Sequence, residues 1–285
     1  MNSLRLLCSV ALLSACGTPA PTFPCSSLPS TASPSSPWTL TGPTLMQRQT
    51  LLAAGGIART IDDTYYIAWF PSSFASAPQR RVLVSLHGTA GAPEAEWNDF
   101  RSTLESRGWG FVGLAYYYPP TLQYSDDAAM YPRLNTALTD ISAAYCLSGA
   151  KIFLTGFSRG SANVFPVAYR DRKGSRWFTG AMPISGAWPP DASGATFGVL
   201  PPTLAAIDSS KELGAYGSLP FWIYCGEQDT AQAGSSCAAL ANAQRFVDTY
   251  GGKVQQLFRD PSGVHGSFVK NSTAMSQAFD YLESL

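Results

Sequence analysis

The chain has 285 residues, and 19 Lys and Arg balance 19 Asp and Glu, so the formal net charge is +0 at pH 7. Charged residues make up only 13% of the sequence and form no basic cluster, which argues against nucleic acid as a partner. The two histidines lie in separate motifs and give no ligand cluster, so we expect no metal site.

Residues 1–15 are typical of a signal peptide. Arg5 is followed by an apolar run and then by small residues, a stretch too short to span a bilayer as a permanent helix. The Leu-Ser-Ala-Cys segment that ends at Cys16 resembles the bacterial lipoprotein box, in which the cysteine is lipidated. We therefore expect export to the cell envelope and a membrane anchor at Cys16. An ordinary secretory signal with an incidental cysteine is the alternative.

The composition changes after the signal peptide. Residues 16–42 are rich in Pro, Ser and Thr, and no charged residue occurs between Arg5 and Arg48. Such a segment has too little apolar surface to pack, so we expect a flexible tether. Residues 43–285 are long enough for one α/β domain.

Apolar runs and helical patterns alternate through this domain. Residues 57–70 predict two strands joined by a turn at Asp62 and Asp63, which would form an antiparallel edge. Further strands are predicted at 81–86, 110–116, 151–155, 178–184, 221–224 and 254–258. Helices are predicted at 94–107, 131–145, 162–172, 238–250 and 272–282. This order predicts a mainly parallel sheet with helices on both faces and function at the carboxyl ends of its strands.

One long segment, 185–220, interrupts the alternation and is rich in Pro, Gly and Ala. Loops of this length in a compact domain are usually functional, so we expect a cap over a pocket, with a partly ordered surface excursion as the alternative. Tyrosines cluster earlier, at 116–118 and at Tyr124. They are candidates for an aromatic-ester pocket, although packing is the commoner fate of such a cluster.

Ser158 is the candidate nucleophile. It stands in a Gly-x-Ser-x-Gly motif from Gly156 to Gly160, after a predicted strand and before a helical pattern. The glycines allow close backbone approach, and such a turn exposes the serine hydroxyl. The motif alone is weak evidence, because a Gly/Ser turn without chemistry would look the same, so the chain must also supply a base and an acid.

His265 is the candidate base, because it follows the last predicted strand, whereas His87 directly follows the strand at 81–86. Asp229 is the candidate acid, because the Gly-x-x-Asp turn places it one loop beyond a strand end. Glu227 lies nearer that strand and is interpreted as a solvated loop charge. Asp260 is only five residues from the base.

These motifs give the chain a resemblance to a known family. They are Leu86-His87-Gly88-Thr89, the run from Tyr145 to Ser158, Gly226-Glu227-Gln228-Asp229 and Gly263-Val264-His265-Gly266. The chain resembles the α/β-hydrolases, and more narrowly exported esterases of the feruloyl esterase and polyhydroxybutyrate-depolymerase-like group. The resemblance implies a serine esterase that hydrolyses small or polymer-linked carboxylic esters through an acyl-enzyme intermediate and needs no cofactor.

The resemblance also implies an oxyanion hole from the backbone N–H groups of Arg159 and Thr89, with His87 as a structural residue. Arg159 and the single Gly160 depart from the depolymerase-like members of this group, which often have a small or apolar residue and then a glycine pair. A serine peptidase of the same fold and a non-catalytic binding module are the alternatives. The complete Ser-Asp-His order argues against the binding module.

Four further cysteines suit two disulfides in an exported chain. Cys225 ends a predicted strand and Cys237 begins the next helix, so a bond between them would tie down the loop that carries Asp229. Cys25 and Cys146 would then form the other pair. Four reduced thiols are the alternative.

Overall fold

A computed structural model describes residues 40–118, 123–145, 147–191, 193 and 196–285. The expected signal peptide, the lipidation site at Cys16 and most of the tether lie outside these residues. So do Cys25 and Cys146, and with them the second expected disulfide. Among the described residues, no helix has the length and hydropathy that a membrane span requires.

The strands form one large sheet and one short hairpin-like pair. They are β1 (Ile57–Ile61), β2 (Thr64–Trp69), β3 (Arg81–Leu86), β4 (Gly110–Leu114), β5 (Tyr117–Tyr118), β6 (Gln123–Tyr124), β7 (Lys151–Phe157), β8 (Phe178–Ile184), β9 (Pro220–Gly226) and β10 (Lys253–Asp260). Eight of them form a sheet in the order β1-β2-β4-β3-β7-β8-β9-β10, and β5 pairs with β6.

Strand β2 runs antiparallel to both of its neighbours, and all other neighbours in the large sheet are parallel. This confirms the predicted α/β fold class with an antiparallel N-terminal edge. Each predicted strand is present. The apolar and β-branched runs form the strands from β2 to β9 of the large sheet, which are buried along nearly their whole length, whereas the edge strand β10 is largely exposed.

Helices cover both faces of the sheet. They are α1 (Gly42–Ala53), α2 (Pro93–Arg107), α3 (Asp127–Tyr145), α4 (Arg159–Lys173), α5 (Pro202–Ser210), α6 (Cys237–Thr249) and α7 (Ser272–Ser284). One apolar core lies between the sheet and α3, α4, α5 and α6, and the other lies beneath α1, α2 and α7. Between these two layers, the carboxyl ends of β3, β7, β9 and β10 carry the loops of the candidate site.

Helix α1 was not predicted, and it begins inside the expected tether. Its sequence has no acidic first turn, no basic last turn and no capping side chain. Tertiary contacts hold it instead: the buried Arg48 forms an ion pair with Glu94 of α2, and its guanidinium lies 4.6 Å from the centre of the Tyr65 ring. A contact between residues so far apart leaves no local pattern in the sequence.

The 185–220 segment contains α5, which was also not predicted. Thr203 of α5 donates a 2.6 Å hydrogen bond to Asp127 at the start of α3, and Trp188 packs edge-on against Phe165 of α4 and Phe246 of α6. The described part of the segment therefore lies over α4 and α6. Its expected role as a cap stays a prediction.

Candidate active site

The turn at Ser158 joins β7 to α4 and is held in an unusual backbone conformation, with φ 54° and ψ −115°. Its N–H donates to the carbonyl oxygen of Ile184 at 2.9 Å. A Cβ at Gly160 would come 1.9 Å from the carbonyl oxygen of Leu86, and one at Gly186 would come 1.9 Å from that of Ser158. The two missing side chains allow the turn to fit between the ends of β3 and β8.

The structure brings the three predicted triad residues together. His265 Nε2 lies 2.9 Å from Ser158 Oγ, and His265 Nδ1 lies 2.8 Å from Asp229 Oδ2. Because the carboxylate can only accept, Nδ1 carries the proton and Nε2 is left to accept from the serine hydroxyl. The three side chains come from the loops after β7, β9 and β10, which end at the same edge of the sheet.

Two further groups hold the carboxylate of Asp229, whose side chain is fully buried. Its Oδ1 accepts a 2.7 Å hydrogen bond from the hydroxyl of Ser235 and a 3.1 Å bond from the N–H of Ala231. With His265 Nδ1, the buried charge has three donors, which a charge out of water requires. Ser235 was not among the predicted site residues. The only indication in the sequence was the position of Ser235 in a short loop after the acid.

A disulfide closes that same loop. Cys225 in β9 and Cys237 at the start of α6 are bonded, with their Cα atoms 5.2 Å apart. This confirms the first expected disulfide. The bond ties the two ends of the segment that carries both Asp229 and Ser235, so it limits how far the carboxylate can move.

The other two candidate carboxylates, those of Glu227 and Asp260, contact groups outside the triad. Glu227 is half-exposed and lies 3.7 Å from the guanidinium of Arg259. Asp260 accepts a 2.8 Å bond from the Tyr224 hydroxyl and a 2.7 Å bond from the Asn271 amide. Burial acts to raise the pKa of Asp260, but the hydrogen bonds from Asn271, Tyr224 and Ser262 together outweigh it and hold the pKa below its usual range. Asp260 therefore fixes the start of the loop that carries the base.

His87 is buried and has no part in the triad. Its Nδ1 donates to the carbonyl oxygen of Gly88 at 2.8 Å, its Nε2 accepts from the N–H of Tyr116 at 3.4 Å, and its ring stacks on that of Tyr116. Burial lowers the pKa of His87 to about 4, against the smaller opposing effect of the Gly88 bond. The imidazole is thus neutral near pH 7 and anchors the loop after β3.

A cavity of about 270 Å³ opens beside Ser158, and both Thr89 and Arg159 line it. Their backbone N–H groups are the expected oxyanion donors, and that role stays a prediction. The neighbouring Ala90 has φ 53° and donates its N–H to the hydroxyl of Tyr124 at 2.6 Å. Strand β6 therefore supports the loop that carries Thr89.

Comparison with known proteins finds no matching family model and no matching curated protein. Solved structures do match. Est1E from Butyrivibrio proteoclasticus, determined with ferulic acid bound, is 15% identical with a TM-score of 0.53 over 80% of this chain and 98% of its own. An S-formylglutathione hydrolase from Agrobacterium tumefaciens is 14% identical, with a TM-score of 0.56 over 80% and 94%.

A third match, a putative dienelactone hydrolase from Klebsiella pneumoniae, is 10% identical with a TM-score of 0.55 over 80% of this chain and 96% of its own. The chain has the α/β-hydrolase fold. At such low identities the likeness establishes the fold alone, so the chemistry of this chain follows from its own site.

Ser235→Ala should lower the kcat for para-nitrophenyl acetate by about tenfold with little change in KM, because the carboxylate that orients His265 loses one of three donors. The measurement is steady-state release of para-nitrophenol. Ser209→Ala is the matched control, since the Ser209 hydroxyl is exposed and donates to the carbonyl oxygen of Ala206 within α5. Equal kcat values for the two variants would show that Ser235 does not position the carboxylate.

Glu96 of α2 is buried beneath the same edge of the sheet, next to Asp99. Burial, with a smaller contribution from Asp99, raises the pKa of Glu96 to about 8. The folded state therefore keeps a proton that the unfolded chain releases above about pH 4.5. The stability due to this group is complete below about pH 4.5 and is lost as the pH rises through about 8.

Glu96→Gln, which is neutral at every pH, should therefore reduce the fall in Tm between about pH 5 and about pH 9. Thermal unfolding across this range measures the effect. Glu105→Gln on the exposed side of α2 is the control and should leave the profile of the wild type. Parallel profiles for Glu96→Gln and the wild type would contradict the inferred protonation.

Proposed function

We propose that this α/β-hydrolase is a serine esterase that cleaves carboxylic esters through an acyl-enzyme intermediate. The observation that carries the proposal is the continuous hydrogen-bonded line from Ser158 through His265 to Asp229, which ends at a cavity. A serine hydroxyl becomes nucleophilic when a base removes its proton, and the base keeps the right tautomer when a carboxylate holds its other nitrogen.

The geometry supports the following steps. His265 Nε2 takes the hydroxyl proton as Ser158 Oγ attacks the ester carbonyl carbon, and the imidazolium is stabilised by Asp229. The carbonyl oxygen becomes an oxyanion that faces the N–H groups of Thr89 and Arg159. Collapse breaks the bond to the alcohol oxygen, which leaves with the proton from Nε2. Water then repeats the sequence on the acyl-enzyme and releases the acid.

The structural matches fit this chemistry, because they include Est1E with bound ferulic acid and an S-formylglutathione hydrolase. A serine peptidase, the alternative function, would use the same three residues to cleave an amide bond. A pair of substrates that differ only in the ester or amide bond separates the two readings. Hydrolysis of neither would favour the binding module.

Ser158→Ala should lower the kcat for a para-nitrophenyl ester by roughly 10⁴-fold or more, because the nucleophile is lost.

Asp229→Asn should also lower kcat heavily while the protein stays folded, since the amide favours the wrong tautomer of His265. Initial rates on esters of graded acyl length, with the corresponding anilides beside them, measure both. Ser209→Ala is the control. Unchanged turnover in purified Ser158→Ala, or faster cleavage of the anilides, would contradict the proposal.

We also propose that the protein is exported and attached to a membrane through a lipid on Cys16. The support is the sequence: a short apolar run, the Leu-Ser-Ala-Cys segment, and a Pro/Ser/Thr-rich stretch long enough to act as a tether. Metabolic labelling with a radioactive fatty acid should mark the wild type and spare Cys16→Ser. A mature wild-type protein that carries no label and begins at another residue would contradict it.

A further inference from the structure

The walls of the catalytic cavity differ from those expected of a site for long acyl chains or aromatic acids. Among the described residues that line it, none is aromatic and none is Val, Leu, Ile or Met. Its larger side chains are polar, from Arg159, Asn163 and Gln232, and the rest of the wall is Thr, Ser, Gly, Ala and Pro. Such a surface gives little hydrophobic stabilisation to an alkyl chain or an aryl ring.

Three of the tyrosines that were candidates for an aromatic pocket pack outside the cavity: Tyr116, Tyr117 and Tyr124. Tyr116 is buried and stacks on His87, and Tyr117 stacks on Tyr124 with ring centres 4.6 Å apart. None of these rings lines the described wall of the cavity. These three tyrosines therefore pack against one another and against His87.

Arg159 is the one charged residue among those described around the cavity. Its guanidinium carbon lies 4.0 Å from the centre of the Tyr124 ring. That ring is itself fixed, because it stacks on Tyr117 and its hydroxyl accepts the N–H of Ala90. A guanidinium held over a ring loses less side-chain freedom when it binds an anion, and it keeps donors that suit a carboxylate.

The nearby charge of the triad does not cancel this cation. Asp229 is fully buried behind His265, and its oxygens accept from His265, Ser235 and Ala231. Arg159 is exposed at the mouth of the cavity, next to the nucleophile in sequence. An ester that carries a negative group would bring that group to a fixed positive charge as its carbonyl reaches Ser158 Oγ.

We propose that Arg159, positioned by the ring of Tyr124, binds an anionic group of the substrate, so that the enzyme prefers esters whose acyl or alcohol part carries a carboxylate. The proposal rests on the proposed esterase function and adds the chemical class of its substrate.

The test compares each charged ester with its neutral methyl ester. One pair carries the charge on the acyl side, para-nitrophenyl hydrogen adipate and its methyl ester, and the other carries it on the alcohol side, para-butyryloxybenzoate and its methyl ester. The ratio of kcat/KM within a pair is the readout, because a general loss of activity cancels in it. The wild type should favour the charged member of at least one pair by about tenfold.

Variants assign this preference to residues. Arg159→Gln should bring the ratio close to one, and Arg159→Lys should keep part of it, since the charge remains but the planar fork is lost. Tyr124→Leu should lower the ratio as well, because the guanidinium loses its support. Arg101→Gln is the matched control: Arg101 also lies over a ring, that of Trp97 at 5.0 Å, but outside the cavity, and its ratio should equal that of the wild type.

Salt gives an independent check, since about 0.5 M salt should reduce the preference by screening the exposed cation. A wild-type enzyme that hydrolyses the neutral esters and shows no preference in either pair would overturn this inference and leave the esterase proposal standing. An unchanged ratio in Arg159→Gln would overturn it too. Hydrolysis of no ester at all would overturn both.

Discussion

The site depends on one close contact, the packing of the Ser158 turn between the ends of β3 and β8. Only the absence of a Cβ at Gly160 and Gly186 allows the backbones to approach this closely. The left-handed backbone at Ser158 is unfavourable in isolation, and the sheet on both sides maintains it. Because these contacts hold the turn, the hydroxyl stays at the edge of the sheet where β9 and β10 also end and their loops begin.

Separate contacts hold the other groups of the site around the Ser158 hydroxyl. The Cys225–Cys237 disulfide and the Ser235 hydroxyl hold the acid loop, and the bonds that Asp260 accepts hold the start of the base loop. On the opposite side, His87 and Tyr124 support the loop expected to supply an oxyanion donor. Each of the predicted catalytic groups thus has its own structural support, which limits how far its atoms can move.

The sequence was sufficient for the sheet and for the triad candidates. Strands in a mainly parallel sheet are continuous apolar runs, and the loops that follow them carry Ser158, Asp229 and His265 in order, so local patterns were enough. Local sequence patterns were insufficient where contacts between distant residues determine the structure. Helix α1 depends on an ion pair with α2, Ser235 depends on where its loop folds back, and the stacking of Arg159 on Tyr124 joins distant parts of the chain.

A fluorophosphonate probe, which reacts only with an activated serine, measures whether the neighbours of Ser158 activate it as a nucleophile. The purified wild type is incubated with the probe, digested and mapped by mass spectrometry, with His265→Ala treated in parallel. We expect one adduct, on the peptide that contains Ser158, and its loss in His265→Ala. No adduct on the folded wild type, or an adduct on a different residue, would contradict it.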